Sequence, residues 1–226
     1  VTDAISDYFF TTSATANENL KKSGIPEERI FFVGNTMIDT LMKQMPRLTQ
    51  PAIWASAGLQ PQQYLIMTLH RPANVDNSDK LAELISEVVK ASKGMPIVFP
   101  VHPRTARMLD AAGIAAPNLL QAEPMSYLEF NYLVKHARAV ITDSGGITEE
   151  TTVMGVPCMT LRDNTERPET CTTGTNELLG THPSAIAPAF EKLLSSNWKK
   201  GAIPELWDGK TAERIIQHII HIFAII

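Results

Sequence analysis

The sequence predicts an α/β fold built on a doubly wound parallel sheet. Short runs rich in Val, Ile and Phe are apolar without alternation, which is typical of strands covered on both faces. Amphipathic stretches lie between most of these runs, and this alternation indicates a parallel sheet flanked by helices on both sides. With 44% apolar residues in 226, the chain has enough hydrophobic side chains for a sizeable core.

The predicted strands share a short length and an apolar composition. In chain order they are 8–12, 30–34, 64–70, 96–102, 118–121, 139–142 and 157–161. The predicted helices are 77–93, 104–112, 127–136, 146–154, 183–194 and 211–226. Asn77 or Ser78 is the expected N-cap of the first of these helices, because both side chains can accept from backbone N–H groups.

A domain boundary is expected between 42 and 62, where three prolines occur. The segment 1–43 carries only two predicted strands, which are too few to bury a core alone. The last helix becomes apolar nearly all round, so it needs a covering surface. We therefore expect 1–43 to be the remnant of a first domain with its crossover, 44–208 to form a Rossmann-like domain, and 209–226 to pack on the first domain. The alternative is a last helix packed inside this domain or at a dimer contact.

Composition and charge exclude several classes of protein. The chain has 20 basic and 24 acidic residues and a net charge of -4, which disfavours nucleic-acid binding. No apolar run approaches the ~18–20 residues of a membrane span. Cys158 and Cys171 form no CxxC motif, so we expect a reducing, cytoplasmic environment without a disulfide scaffold or a zinc site.

The most informative stretch is 143–150, DSGGITEE, directly after a predicted strand. A helix N-terminus presents unpaired N–H groups to an anion, and glycines let a diphosphate approach the backbone. Ser144 can cap the helix or donate to a phosphate, Gly145 and Gly146 lack a Cβ, and Glu150 lies about one turn in, where it can accept from ribose hydroxyls. The alternative is a Ser-capped helix with a glycine turn and solvated glutamates.

Two predicted strands end in a histidine with an arginine close behind it, as His70-Arg71 and His102-Pro103-Arg104. His70-Arg71 ends one predicted strand, and a histidine and an arginine there can both bind an anion. His102 ends the next strand, where capping of the following helix or a role in a neighbouring subunit is the stronger alternative. Arg167 lies in a loop dense in charge, and it either faces a ligand phosphate or pairs with a nearby carboxylate at the surface.

Core packing is the simpler interpretation of the aromatic and methionine side chains around 125–130. A turn there could instead present backbone amides to a base edge, with Phe130 beside it. The Walker A, GxGxxG, GxSxG and HExxH motifs are absent, and no set of histidines has metal-ligand spacing.

The motifs MTLHRPANVDN, VFPVHPRT, TDSGGITEETTVMGVPCMTLRDNTERPET and GTNELLG occur in this order. Together they closely resemble the non-hydrolysing UDP-N-acetylglucosamine 2-epimerases, and the resemblance covers nearly the whole chain. It implies a GT-B type fold of two doubly wound domains facing a cleft, with 44–208 as the nucleotide-binding domain. It also implies a homodimer that binds UDP and UDP-N-acetylhexosamines and needs no external cofactor or metal.

The resemblance also implies roles for particular residues. It assigns His70 to the diphosphate in a supporting role, Ser144, Gly145 and Gly146 to phosphate, Glu150 to the ribose, Arg167 to the nucleotide phosphate region, and Met125 and Phe130 to the uracil. A second, allosteric UDP-GlcNAc site would use Arg71 or His102. The chain departs from many bacterial relatives there, because Pro72-Ala73 follows the His-Arg pair.

In this family the enzyme eliminates UDP to give a 2-acetamidoglucal and then adds UDP back, which inverts C2. The carboxylates that move the C2 proton would lie upstream of Val1, in the first domain, so we expect the chain to bind UDP without turnover. Two alternatives remain open. One is the donor domain of a GT-B glycosyltransferase, and the other is a non-catalytic nucleotide-sugar binding module.

Overall fold

The computed structural model describes residues 1–101, 106–107, 109 and 113–223. Backbone contacts divide the chain into two units. One unit comprises Val1–Pro46 and Ile203–Ile226, and the other comprises Arg47–Ala202.

The described strands are short and are numbered in chain order. They are β1 (Phe9–Thr11), β2 (Ile30–Phe32), β3 (Leu65–Thr68), β4 (Ile97–Pro100), β5 (Leu119–Ala122), β6 (Ala139–Thr142), β7 (Cys158–Thr160) and β8 (Asn176–Leu178).

The described α-helices are numbered in the same way. They are α1 (Thr2–Ile5), α2 (Ala14–Lys22), α3 (Thr36–Gln44), α4 (Ala52–Ser56), α5 (Pro72–Val75), α6 (Ser78–Ala91), α7 (Tyr127–His136), α8 (Gly145–Met154), α9 (Pro168–Thr172), α10 (Ile186–Leu194) and α11 (Thr211–Phe223). Short 3-10 turns occur at Glu27–Arg29, Met45–Arg47 and Pro183–Ala185.

The larger unit contains a parallel sheet in the order β5-β4-β3-β6-β7-β8. Within this sheet, the first strand along the chain is the central β3, and β4 and β5 follow outward on one side of it. The chain then returns to the centre, and β6 pairs with the other side of β3. This reversal makes the β3–β6 boundary the topological switch point, where ligands bind beyond the carboxyl ends of the strands. The predicted doubly wound parallel sheet is therefore confirmed.

Hydrophobic side chains cover both faces of this sheet because successive strand residues point in opposite directions. Leu65 and Met67 belong to one buried cluster, whereas Tyr64 and Ile66 belong to a second cluster on the other face. Helices α6 and α10 contribute to the first cluster and α7 to the second. This two-sided burial explains why the strands have no alternating pattern.

Each predicted strand overlaps an observed one, with β5 ending one residue beyond its predicted range, but the edge strand β8 was missed. Its sequence, Asn-Glu-Leu, has no apolar run, and a polar bond stabilises it instead: the Thr160 hydroxyl donates to Asn176 Oδ1 at 2.6 Å. The helices α1, α2, α3, α4, α5 and α9 were also missed. The predicted helix 104–112 and His102 lie largely or wholly outside the described residues, and the last helix is described only as far as Phe223.

The smaller unit holds a two-stranded parallel sheet, β1-β2, with helices α2, α3 and α11. Trp207 is fully buried there, and its indole donates to the Thr12 carbonyl at 2.9 Å. The Asp39 carboxylate accepts from the backbone N–H groups of Thr211 and Ala212 at 3.0 and 2.7 Å, which caps the start of α11. Among the described helices of either unit, none combines the length and the apolarity needed to cross a bilayer.

Candidate functional site

The turns after β3 and β6 meet at the switch point. The hydroxyls of Thr68 and Thr142, the last residues of these strands, are 2.6 Å apart. His70 and Arg71 follow the first strand, and Asp143 and Ser144 follow the second. The strand order therefore brings together two sequence motifs that are more than seventy residues apart.

Asp143 is fully buried between the two turns and binds both. Its carboxylate accepts from the backbone N–H groups of His70 and Arg71 at 3.1 and 3.0 Å and from the Asn74 side-chain amide at 3.1 Å. The His70 ring nitrogen Nδ1 lies 2.8 Å from the same carboxylate. Asp143 was not among the predicted site residues, because sequence order alone does not show that it faces His70.

The start of α8 has the features of an anion site. Ser144 is the N-cap residue, but its side chain makes no capping hydrogen bond, so the hydroxyl is not used by the helix. Gly145 and Gly146 form the first turn, which contains no acidic residue. A Cβ built on Gly145 would meet Glu166 and Arg162 only at 3.6 and 3.7 Å, which leaves the backbone there open to a ligand.

Glu149 and Glu150 are both buried in the second turn of α8, and they face different partners. Glu150 accepts from the Tyr127 hydroxyl at 2.7 Å, and burial raises the pKa of its carboxyl above the usual value. Glu149 forms an ion pair with the guanidinium of Arg167. Arg167, predicted to face a ligand phosphate, therefore donates from Nε to a carboxylate of the protein, and this carboxylate is buried on α8 and is not part of the surface loop that the alternative interpretation assumed.

Glu166 lies beside the α8 start and is held by arginines. Arg162, which is itself buried, donates to both Glu166 carboxylate oxygens at 2.8 Å, and Arg71 lies 3.6 Å away. The Arg162 hydrogen bonds lower the pKa of Glu166 to about 2. The arginine charges next to the glycine turn are thus partly balanced before any ligand binds.

A cavity of about 640 Å³ opens at the carboxyl ends of β4 and β5. It is lined by Val101, Ala106, Arg107, Gln121, Ala122, Glu123 and Pro124. Met125, the next residue, and Phe130 are half-buried and pack against the Tyr64-side core cluster. Both residues thus have a packing role, as their simpler interpretation predicts.

The structure brings His70, Ser144 and Gly145 to one point and places Glu150 one turn further along α8. Asp143, Tyr127 and Glu149 are the neighbours that the sequence did not single out as site residues. Tyr127 had one usable signal, because it opens a predicted helix close to the site. Within the described ranges, no three His, Cys, Asp or Glu side chains cluster as metal ligands do.

A sequence model of the UDP-N-acetylglucosamine 2-epimerase family matches residues 1–220. The chain belongs to this family. A relative from Methanococcus maripaludis, a UDP-N-acetylglucosamine 2-epimerase, is 39% identical over 209 residues, which are 87% of this chain and 57% of the relative.

Two solved structures of family members superpose well. The Methanocaldococcus jannaschii UDP-GlcNAc 2-epimerase, in complex with UDP-GlcNAc and UDP, matches with a TM-score of 0.80 and 35% identity, over 96% of this chain and 62% of that one. The Neisseria meningitidis UDP-GlcNAc 2-epimerase bound to UDP-GlcNAc matches with a TM-score of 0.84 and 28% identity, over 97% and 63%. The chain therefore spans less than two thirds of the length of these relatives.

Proposed function

We propose that this chain is the UDP-binding part of a UDP-GlcNAc 2-epimerase, which interconverts UDP-GlcNAc and UDP-ManNAc. The observation that carries the proposal is the switch-point site, where the uncapped Ser144 and the open Gly145 backbone lie beside the His70–Asp143 pair. An anion is favoured at such a helix start by free N–H groups and by the helix dipole. Family membership supports the diphosphate of UDP as this anion.

With the diphosphate at the start of α8, each other group of the nucleotide can be assigned to nearby residues. The diphosphate binds at Ser144, Gly145 and Gly146, and His70 contacts it from the neighbouring turn. The ribose hydroxyls donate to Glu150, whose carboxylate already accepts from Tyr127 and has free lone pairs for a second donor. The uracil lies toward Met125 and Phe130, close to the cavity at the ends of β4 and β5.

The reaction requires groups beyond these. Loss of the C2 proton and departure of UDP from C1 give the 2-acetamidoglucal, and return of a proton to the opposite face with re-addition of UDP inverts C2. We place the carboxylates that move the proton in a first domain outside this sequence. The role left for Arg167 and His70 is to assist departure of UDP by their charge and hydrogen bonds. No external cofactor is needed for this sequence of steps.

The domain assignment follows from the same proposal. Residues 1–43 belong to the first domain and its crossover, 44–208 bind the nucleotide, and 209–226 close the chain against the first domain. A two-stranded parallel sheet is too small to be stable as an independent domain. This supports the proposal that β1 and β2 belong to a larger domain. We further propose that the enzyme is a cytoplasmic homodimer and serves polysaccharide biosynthesis. Arg71 and His102 would bind a second nucleotide sugar at an allosteric site.

Calorimetric titration of the purified chain with UDP tests the nucleotide site, with ADP as the control ligand. UDP is expected to bind weakly but selectively, because the first domain is absent. Glu150→Ala is expected to reduce UDP affinity at least about tenfold, since a hydrogen bond to a charged group contributes roughly 1.5–3 kcal/mol. Glu83→Ala, which removes an exposed glutamate from α6, is the matched control and should not change the affinity.

Equal binding of UDP and ADP, or full UDP affinity in Glu150→Ala, would contradict the assignment of this site. A separate assay addresses catalysis. The pure chain should not convert UDP-GlcNAc to UDP-ManNAc, and measurable turnover would show that the catalytic groups lie within these 226 residues.

A further inference from the structure

The contact between His70 and Asp143 is unusual in its environment. The His70 ring is 63% exposed at the site, whereas the Asp143 side chain is fully buried beneath it. The ring reaches down with Nδ1, which lies 2.8 Å from Asp143 Oδ1. The other ring nitrogen, Nε2, is therefore the one left for a ligand.

The surroundings of the Asp143 carboxylate decide which ring nitrogen carries the proton. Oδ2 accepts from the Arg71 backbone N–H at 3.0 Å and from the Asn74 amide at 3.1 Å, and the His70 backbone N–H points to both oxygens. With donors on every side, the carboxylate is an acceptor only. The nitrogen facing Oδ1 must therefore be Nδ1–H.

We propose that Asp143 is a positioning residue that holds His70 in the Nδ1–H form and directs Nε2 at the diphosphate. The inference rests on the proposed function, because it assumes that His70 contacts the UDP phosphates. With Nδ1–H already in place, a proton taken from solvent adds at Nε2. The ring can then donate from Nε2 to a phosphate oxygen without turning.

An amide in place of the carboxylate should reverse this arrangement. In Asp143→Asn, the amide oxygen is best placed at the Oδ2 position, where the Arg71 and Asn74 donors converge. The NH2 group then faces His70 Nδ1, which must accept, so the proton moves to Nε2. Such a ring can donate Nε2–H to the phosphate only in its neutral form, because a second proton at Nδ1 would set that N–H against the introduced NH2 group. The phosphate therefore loses the charge-assisted hydrogen bond that the imidazolium of the unchanged chain can give.

The test measures the ring ¹⁵N chemical shifts of His70 in the full chain at alkaline pH, with the His70→Gln spectrum giving the assignment. The unchanged chain should show Nδ1–H, and Asp143→Asn should show Nε2–H. Asn74→Ala is the matched control, because it removes a donor to Oδ2 without touching the Oδ1–His70 contact. It should cost stability but leave His70 as Nδ1–H.

UDP titrations of the same proteins show whether Asp143 acts through His70. Asp143→Asn alone should lower UDP affinity about tenfold, whereas the same change in a His70→Ala background should have little further effect. Additive losses would indicate a general structural role, and Nε2–H in the unchanged chain would overturn the proposal even if Asp143→Asn failed to fold. Nδ1–H in a chain that does not bind UDP would support the positioning of His70 and contradict the proposed function.

Discussion

At the scale of single residues, the site is assembled from buried carboxylates that each hold a more exposed side chain. Asp143 binds His70, Glu149 pairs with Arg167, and Glu150 accepts from Tyr127. The buried member is fixed by the fold, and the exposed member is oriented by it. Such an arrangement orders the ligand-binding side chains of the protein before the nucleotide binds, which reduces the entropy lost on binding.

Glu166 reverses this order, because its carboxylate is exposed and its partner Arg162 is buried. The Arg162 hydrogen bonds lower its pKa from an ordinary value of 4.5 to about 2. The pair therefore contributes fully to stability above about pH 4.5. As the pH falls from there toward 2, the unfolded chain takes up the proton first, and the contribution is lost.

Glu166→Gln should therefore lower the free energy of unfolding by about 1 kcal/mol at pH 7, a modest effect because one partner is solvated. The difference from the unchanged chain should shrink below about pH 4.5 and approach zero near pH 2. Urea denaturation of both proteins across this pH range measures it. A difference that stays constant with pH would show that the ion pair is not its source.

At the scale of elements, a substitution at the start of α8 should change ligand affinity without changing the stability of the fold. A Cβ at position 145 would come no closer than 3.6 Å to any neighbour, so Gly145→Ala should fold with nearly unchanged stability. The same methyl group would stand between the helix N–H groups and a phosphate, and UDP affinity should fall about tenfold, a loss of about 1.4 kcal/mol. Thermal denaturation and calorimetry together check both expectations.

Gly174→Ala is the matched comparison in the same unit. A Cβ there would lie 2.5 Å from the Thr152 side chain and 2.6 Å from the Thr170 carbonyl, so stability should fall by roughly 1–3 kcal/mol through overpacking. Loss of stability in the Gly145 variant, or unchanged UDP affinity, would contradict the assignment of α8 as an open phosphate-binding helix.

The elements also show what a single sequence reveals. Strands such as β6 were predictable because burial on both faces leaves an apolar run, whereas β8 is a polar edge strand. Helix α2 has no buried residue, so it has no apolar stripe to detect. The turn after β6 predicted Ser144 and Gly145 as candidates, but the contact between His70 and Asp143 depends on strand order, which local patterns do not specify.

At the scale of the whole molecule, an apolar surface remains on the smaller unit. On helix α11, Ile216, Ile220 and Phe223 are 55%, 45% and 63% exposed. The Tyr8 ring contacts Phe223 edge-on and is itself partly exposed, so the helix and the β1–β2 sheet share this surface. Exposed apolar patches of this kind mark interaction surfaces or aggregation sites. In the proposed enzyme, the first domain covers it.

The surface predicts self-association of the isolated chain, and the double variant Ile216→Glu, Ile220→Glu tests this. Because both side chains are exposed, the charges should reduce self-association and apolar-dye binding while leaving the melting temperature nearly unchanged. Ile219→Glu is the matched control: this residue of the same helix is half-buried, so the charge should lower stability. Sedimentation and dye fluorescence measure the first effect and thermal denaturation the second. If the double variant unfolds as readily as Ile219→Glu, the two side chains pack within the unit, and the surface is not the contact for a first domain.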